Sequence, residues 1–502
     1  MMRSLFSGVS GLKTHQTRMD VIGNNIANVN TVAYKYSTMT FASLMSQTTQ
    51  RASGANATTG TGGVNARQIG LGVKTSAINI NITAQGASQS TGNPFDIMIT
   101  GENFFVVSDG KQNYFTRDGS FYVDGAGNLA MTSIGYNVMG WQPDIDPETG
   151  DVRGIKKDTV SALRIMSSAN MTYPPEATSE AYMSGIIDLN DTDVTSDGGK
   201  VVNLNFYDSL GYTYTAKFSF KQDEGVKDAN GNVTTAADQY KYTMKLVELQ
   251  DSTGAKVPAG KLAGANATDE QEAAAYAELM NKLMGTKQVI FDKKTGKIST
   301  FTEATINPDG TVTAGTPVDP KKFDLNFHVL NDTTANPPSD AGNFQKINLD
   351  ISQLTTFDNK GTSTAGATNG KDDKYNTGSG RRVGALIGVA IQQNGEIYAS
   401  YDNGMTKLLG QIATARFANA SGLEKQADNL YSATLNSGTF DGIGVDITAD
   451  GGYMSTGQLE MSNVDLSSEF TEMITTQRGF QANSRIITVS DTLLEELTNL
   501  KR

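Results

Sequence analysis

The sequence predicts a mainly β, multi-domain protein that begins and ends in long α-helices, with one β domain nested inside another. Three observations carry this. Apolar residues recur every seven positions at both ends of the chain. Glycine supplies 52 of the 502 residues, and charged residues are only 19%; the usual glycine share is about 7%. Strand-like alternation, cut by Asp-Gly and Asn-Gly turns, fills much of the middle. At about 150 residues per domain, the length accommodates roughly three domains.

The first helix is read from Leu5, Leu12, Met19 and Ile26, with Val9, Gln16 and Gly23 at the intervening positions. The last is read from Leu459, Leu466, Met473, Phe480, Ile487 and Leu494. Phe470 and Ile474 flank its early part, and Ile486, Leu493, Leu497 and Leu500 widen the stripe towards its end. Ser462 followed by Asp465 predicts a capping-box start, with the helix running from Asn463 to Leu500. A period near 3.5 sustained this long asks for a partner helix. The expectation is an antiparallel, coiled-coil-like pair of terminal helices (residues 1–35 with 459–502) whose apolar stripes also meet neighbouring subunits.

Residues 36–93 read as an extended arm rich in Gly, Thr and Ala, either flexible or ordered by neighbours, with one strand at Ile78, Ile80 and Ile82. Residues 94–141 are dense β: Ile97 and Ile99, then Phe104–Val107, then turns at Asp118-Gly119 and Asp124-Gly125. The same character returns over 383–458, with turns at Asn394-Gly395 and Asn403-Gly404, so the two stretches are expected to close into one inner β domain. Residues 142–382 are then an insert forming one or more outer β domains. Its strands show at Val202, Leu204 and Phe206, at Tyr212–Phe220, and at Tyr240–Leu246. Thr268 and Gln271 mark a capping box before a helix carrying Tyr276, Leu279, Met280 and Leu283.

The composition excludes several kinds of chemistry. Lys and Arg total 41 against 53 Asp and Glu, a net charge of -12 that disfavours a nucleic-acid partner. With no cysteine, disulfides, thiolate metal sites and thiol nucleophiles are absent. The only histidines are His15 and His328, too few for multi-His metal sites. No apolar run approaches the ~18 residues of a membrane span, and the N-terminus lacks the apolar core of a cleaved signal. Two acidic loops, Asp144/Asp146/Glu148/Asp151 and Asp188/Asn190/Asp191/Asp193, resemble calcium loops but lack EF-hand spacing and read as turns. Gly60, Gly62 and Gly63 are followed by no Lys-Ser or Lys-Thr, so they form no phosphate loop. His15 reads as an interface or surface residue and Trp141 as core packing. No enzyme activity, cofactor or metal is expected.

Several long motifs, in order, carry a resemblance. Ser7–Leu12 (SGVSGL), Asp20–Asn28 (DVIGNNIAN) and Thr31–Lys35 (TVAYK) closely resemble the N-terminus of bacterial flagellar rod and hook proteins. Asn24, Asn25, Ile26, Ala27, Asn28, Thr31, Tyr34 and Lys35 are the motif positions. Gly101–Val107 (GENFFVV) and Tyr114–Gly119 (YFTRDG) resemble the family's first β segment. Ala415–Asn429, Gly457–Asp465 and Phe470–Ile486 resemble its C-terminal signature. Ala33 stands where the family usually has Gly, which argues against a need for positive φ there. Asn103 also replaces a usual Gly, and Asn is the side chain that next best tolerates the left-handed region.

The large insert points to the hook-type members of the family rather than the short rod proteins. The resemblance implies a non-enzymatic subunit, exported unfolded through the flagellar type III apparatus without signal cleavage. It would polymerise outside the cell into a curved hollow tube, a universal joint between rod and filament. The implied partners are further copies of itself, the rod, the hook cap and the hook–filament junction proteins. The expected assembly interface is Leu5, Val9, Leu12, Met19, Ile26, Leu466, Phe470, Met473, Phe480, Ile487, Leu494 and Leu497. Other readings from different classes are a distal rod or other axial subunit, a calcium-stabilised secreted adhesin, and a carbohydrate-active enzyme.

Overall fold

The computed structural model describes residues 2–55, 58, 60–146, 152–223, 239–257, 268–306, 312–317, 321–331, 343–373 and 376–500. Glu148 and Asp151 of the first acidic loop lie outside them. The chain divides into two compact units. The first comprises residues 1–171, 387–400 and 406–502, and the second residues 172–386 and 401–405. Four α-helices are described: α1 (Met2–Ala27), α2 (Thr192–Thr195), α3 (Asp269–Met284) and α4 (Leu466–Asn499).

In the first unit α1 has 26 residues and α4 has 34. The start of α4 differs from the expectation. Asp465 is itself the N-cap, accepting a hydrogen bond from the Ser467 amide at 2.9 Å. Ser462 instead turns the chain locally, its Oγ accepting from the Val464 amide. An ionised carboxylate at the helix N-terminus out-competes the hydroxyl three residues earlier.

The arm is a two-stranded ribbon. Ser37–Ser43 pairs antiparallel with Val73–Ile80, in a register running from Ser37↔Ile80 to Ser43↔Val73. Ser46–Gln50 then pairs with Arg67–Gly70, every residue exposed. Apart from Arg67 and a single apolar residue, Ile69, these outer strands are Ser, Thr, Gln and Gly, so they lack the apolar alternation by which a strand is read.

The β layer of this unit joins chain from both sides of the insert. Phe104–Ser108 forms a hairpin with Asn113–Thr116, and Asn137–Trp141 pairs along its other edge. Thr406–Ile412 continues from Asn137–Trp141 with Trp141 opposite Gln411, and Leu430–Ser432 pairs with Asn113–Thr116. Phe104, Val106, Phe115, Phe417 and Tyr431 form its core, with Phe115 and Phe417 edge to face at 4.7 Å. Trp141 is buried and donates its indole N–H to the carbonyls of Asp158 and Ile443.

The stretch from Gln142 to Met171 belongs to this first unit, so the second unit begins at Thr172. The reason is local pairing: Pro143–Ile145 folds back on Val152–Ile155, and Ser161–Ala162 adds to Asn137–Trp141. Asn103 also differs from the expectation. It is buried but has no positive φ, which falls on Gly101 at 90°.

The second unit holds a six-stranded antiparallel sheet whose strands, from Lys200–Tyr207 to Val312–Pro317, follow sequence order. A four-stranded sheet accompanies it, with Glu180–Ile186 parallel to Ile347–Thr355. One apolar core serves both sheets, including Phe206, Phe218, Phe220, Met244, Phe291 and Leu349. α3 is capped by the Thr268–Gln271 box and buries Met280, Leu283 and Met284. The second acidic loop is a fastening. Asp188 accepts the amides of Asn190, Asn359 and Gly361. Asp191 accepts those of Asp193 and Ser363. Burial alone would raise the Asp191 pKa; the Ser363 and Asp193 hydrogen bonds and the nearby Lys200 hold it down at about 2.

Candidate functional site

The terminal helices pack antiparallel. Gly8 faces Asn483, Ile486 and Ile487, Gly11 faces Asn483, and His15 faces Gly479. Further along, Arg18 pairs with Glu472 at 2.9 Å, and Asn25 Nδ2 reaches Glu469 Oε1 at 3.2 Å. The seam is tight because it is glycine-lined. A Cβ on Gly11 would stand 2.7 Å from the Asn483 amide, and one on Gly479 would stand 2.7 Å from the His15 ring. Apart from Ile22, the side chains buried along it are polar: Thr14 and Asn25 on α1, and Glu469, Thr476 and Ser490 on α4.

The apolar residues read as heptads therefore flank the seam or face away from it. Leu5, Leu12, Met19 and Ile26 are half-buried, as are Met473, Phe480, Ile487 and Leu494. Val9, Leu466, Phe470 and Leu497 are exposed. So are Phe6 and Val489, which a seven-residue count of apolar positions does not single out, together with Ile474, Ile486, Leu493 and Leu500. Ile486, Val489, Leu493, Leu497 and Leu500 follow at spacings of three, four, four and three, a signal of one continuous helix face.

The motif after α1 is a fastening built from its own side chains. Asn28 closes the helix, its Nδ2 donating to the Asn24 carbonyl at 2.9 Å, and Thr31 donates to Asn28 Oδ1. Asn24, exposed, donates to the Tyr34 hydroxyl at 3.0 Å, and Ala27 ends the helix exposed. Asn25 is buried and holds both backbone groups of Ser37, linking α1, α4 and the arm. Ala33 has φ +56°, is buried, and donates its amide to the Glu460 carbonyl at 2.8 Å. The expectation that no positive φ is needed there is thus corrected. The turn requires one, because the chain must reverse between Asn28 and Lys35 while that amide meets Glu460.

Lys35 ends the motif in a buried ionic knot. Its Nζ donates to Glu460 Oε1 at 2.6 Å and to the Ala84 carbonyl at 2.7 Å, and both side chains of the ion pair are fully buried. Glu460 also accepts the Gly86 amide at 2.8 Å, and Arg117 Nη1 stands 3.6 Å from its other oxygen. Arg117 in turn lies over the Phe104 ring and donates to the Gly101 carbonyl. Burial lowers the Lys35 pKa, against the pull of Glu460. Burial raises the Tyr34 pKa, with Glu469 adding to the rise. Sequence reasoning marked Lys35 but neither its counter-charge Glu460 nor Arg117, the second cation that shares that carboxylate. The available signal was one acid set between two apolar residues, Leu459 and Met461.

Among the described residues, no group of three or more His, Asp or Glu side chains is placed to hold a metal ion. Among the same residues, no helix is long and apolar enough to cross a membrane.

The motif-bearing segments match three family models. Residues 5–35 match one described as "Flagella basal body rod protein", residues 98–180 "Flagellar hook protein FlgE/F/G D1 domain", and residues 455–500 "Flagellar basal body rod FlgEFG protein C-terminal". These define the class: an axial protein of the bacterial flagellum. The whole chain is 33% identical to the flagellar hook protein FlgE of Treponema pallidum over 514 aligned residues, covering 100% of both chains. It is also 33% identical to that of Borreliella burgdorferi, again covering 100% of both. A flagellar basal-body rod protein FlgG of Bacillus subtilis aligns over 100% of both chains at 26% identity. The chain belongs to the flagellar hook protein family.

Proposed function

We propose that this chain is the structural subunit of a flagellar hook, a curved hollow tube outside the cell that joins rod to filament as a universal joint. The observation that carries this reading is the inversion in the terminal helices. Glycine and polar side chains fill the seam within one molecule, while Phe6, Val9, Phe470, Ile474, Val489, Leu493 and Leu497 are left exposed. A helix pair that spends its polar groups inside and shows its apolar groups outside is stabilised by further copies. The terminal helices then form the inner wall, and the interface runs over Leu5, Val9, Leu12, Met19, Ile26, Leu466, Phe470, Met473, Phe480, Ile487, Leu494 and Leu497.

Export unfolded through the type III apparatus fits a cysteine-free chain, which cannot lock into disulfides before assembly. The rod, the hook cap and the junction proteins complete the set of partners. The hook reading is preferred to the rod reading because the two relatives at 33% identity both carry the hook name, against 26% for the rod protein. Electron microscopy of the concentrated full chain tests the proposal. Hollow tubes are expected, and a protein that stays monomeric at every concentration overturns it.

A further inference from the structure

We infer that the arm is a cationic contact surface, whose outer ribbon seats on the acidic β regions of a second copy of this chain. This rests on the hook-subunit reading above.

Charge is segregated along the sequence. Residues 1–95 hold seven Lys and Arg against one acid, Asp20, and no Asp or Glu occurs between Asp20 and Asp96. They carry a net +6, which leaves -18 on the remaining 407 residues.

The fold of the arm turns its cations outward. The inner ribbon, Ser37–Ser43 with Val73–Ile80, lies against α1. Ser10 Oγ accepts the Val73 amide at 3.3 Å, and the Phe41 ring meets His15 at 5.5 Å and Arg18 at 5.3 Å. The outer ribbon, Ser46–Gln50 with Arg67–Gly70, is exposed throughout. Gln50 pairs with Arg67, so Arg51 follows directly beside Arg67 at its outer end. Arg51, Arg67 and Lys74 are exposed, and among the described residues none of them has an ion-pair partner. Like charges side by side on a two-stranded ribbon are destabilising. The arm holds no acid to offset them. The β regions do: Asp109, Glu424, Asp428 and Asp441 are exposed, and none pairs with an arm cation of its own copy. The counter-charge is therefore supplied by another copy, and opposite potentials also speed the encounter.

Two full-length variants test the contact. The first is Arg67→Lys, which keeps the charge and adds an amine that carbodiimide joins to any carboxylate it touches. Tubes are grown from an equal mixture of nitrogen-15-labelled and unlabelled copies, coupled, digested and read by mass spectrometry. Peptides joining position 67 or Lys74 to an acid of residues 96–458 are expected, with labelled joined to unlabelled. The second variant carries Arg51→Glu, Arg67→Glu and Lys74→Glu. All three residues are exposed, so the circular dichroism of the wild type should be kept. Its critical concentration for tubes should rise about tenfold or more at low salt. Added NaCl should raise the critical concentration of the wild type and close that gap.

Two outcomes overturn the contact while leaving the hook reading standing: coupled peptides that all come from one copy, or a triple variant that assembles at the wild-type concentration. Wild-type binding to phosphatidylglycerol vesicles that the triple variant loses, with tube formation unchanged, overturns it too and assigns the cations to a lipid surface. A wild type that never forms tubes overturns the hook reading and the contact together.

Discussion

The second unit and the terminal helix pair place their apolar side chains in opposite ways. In the second unit Phe206, Phe218, Phe220, Phe291 and Leu349 are buried in one core shared by two sheets, while the exposed positions of Lys200–Tyr207 are mostly polar, Asn203 and Asn205 beside Val201. In the helix pair the buried side chains include Thr14, Asn25, Glu469, Thr476 and Ser490, and the exposed ones include Phe6, Phe470, Ile474 and Leu493. A core of the first kind is complete within one molecule. A surface of the second kind is stable only when other copies cover it, because an isolated amphipathic helix pair of this length gains little from its own seam. The lesson is that a long apolar heptad column need not mark the contact inside a molecule.

The comparison breaks most visibly where the second unit is hollowed. Phe218→Ala removes a fully buried ring and should cost about 3–5 kcal/mol in the melting of that unit, by calorimetry. Tube formation through the helices should survive wherever the unit remains folded. A variant that melts like the wild type would show that Phe218 is not packed as described.

Next in size is the seam. Gly479→Leu drives a side chain into the His15 ring and should destabilise the helix pair by about 1–3 kcal/mol, leaving the second unit unchanged. Amide exchange of α1 and α4 in assembled tubes, where both helices are protected, checks it. Unchanged protection would mean that the helices do not meet through glycine.

A smaller effect sharpens the polar character of the seam. Burial raises the Glu469 pKa above its ordinary value of 4.5; the Asn25 hydrogen bond and Arg18 oppose the rise, and Glu472 and Asp465 reinforce it. A raised folded-state pKa means the folded pair favours the protonated acid. The resulting stabilisation is fully present below the unfolded-state value and is lost as pH rises through the folded one. The helix pair should therefore melt higher as pH falls from 7 towards 4.5, and Glu469→Gln should remove that slope. A slope that persists in the variant would assign it to another group.

Smallest is Ala33→Gly. It relieves a positive φ at the cost of a freer unfolded chain, for a net gain of up to about 1 kcal/mol. Thermal melting of the first unit reads it, and a loss of stability would mean that the Ala33 methyl packs better than its backbone is strained.

The helices, the nested order of the β regions and the capped helix α3 were legible because each writes a local, periodic signal: seven-residue spacing, Asp-Gly and Asn-Gly turns, Thr268 with Gln271. The seam was not, since glycine, threonine and asparagine carry no weight when apolar positions are counted. The ribbon escaped because Ser46–Gln50 and Arg67–Gly70 have no apolar face to alternate with a polar one. The ion pair of Lys35 with Glu460 joins residues 425 apart in the chain, and no spacing rule spans that distance. Ala33 misled because residue type usually reports φ, and here the hydrogen bond to Glu460 overrides it.

The central claim is that the terminal helices are incomplete until other copies cover them, whereas the second unit is complete alone. Hydrogen–deuterium exchange on the dilute monomer and on assembled tubes measures this directly. The account predicts fast exchange in α1 and α4 of the monomer, slow exchange in the strands of the second unit, and protection of both helices once tubes form. Helices protected in the dilute monomer as strongly as the second unit, with no further gain in the tubes, would contradict it.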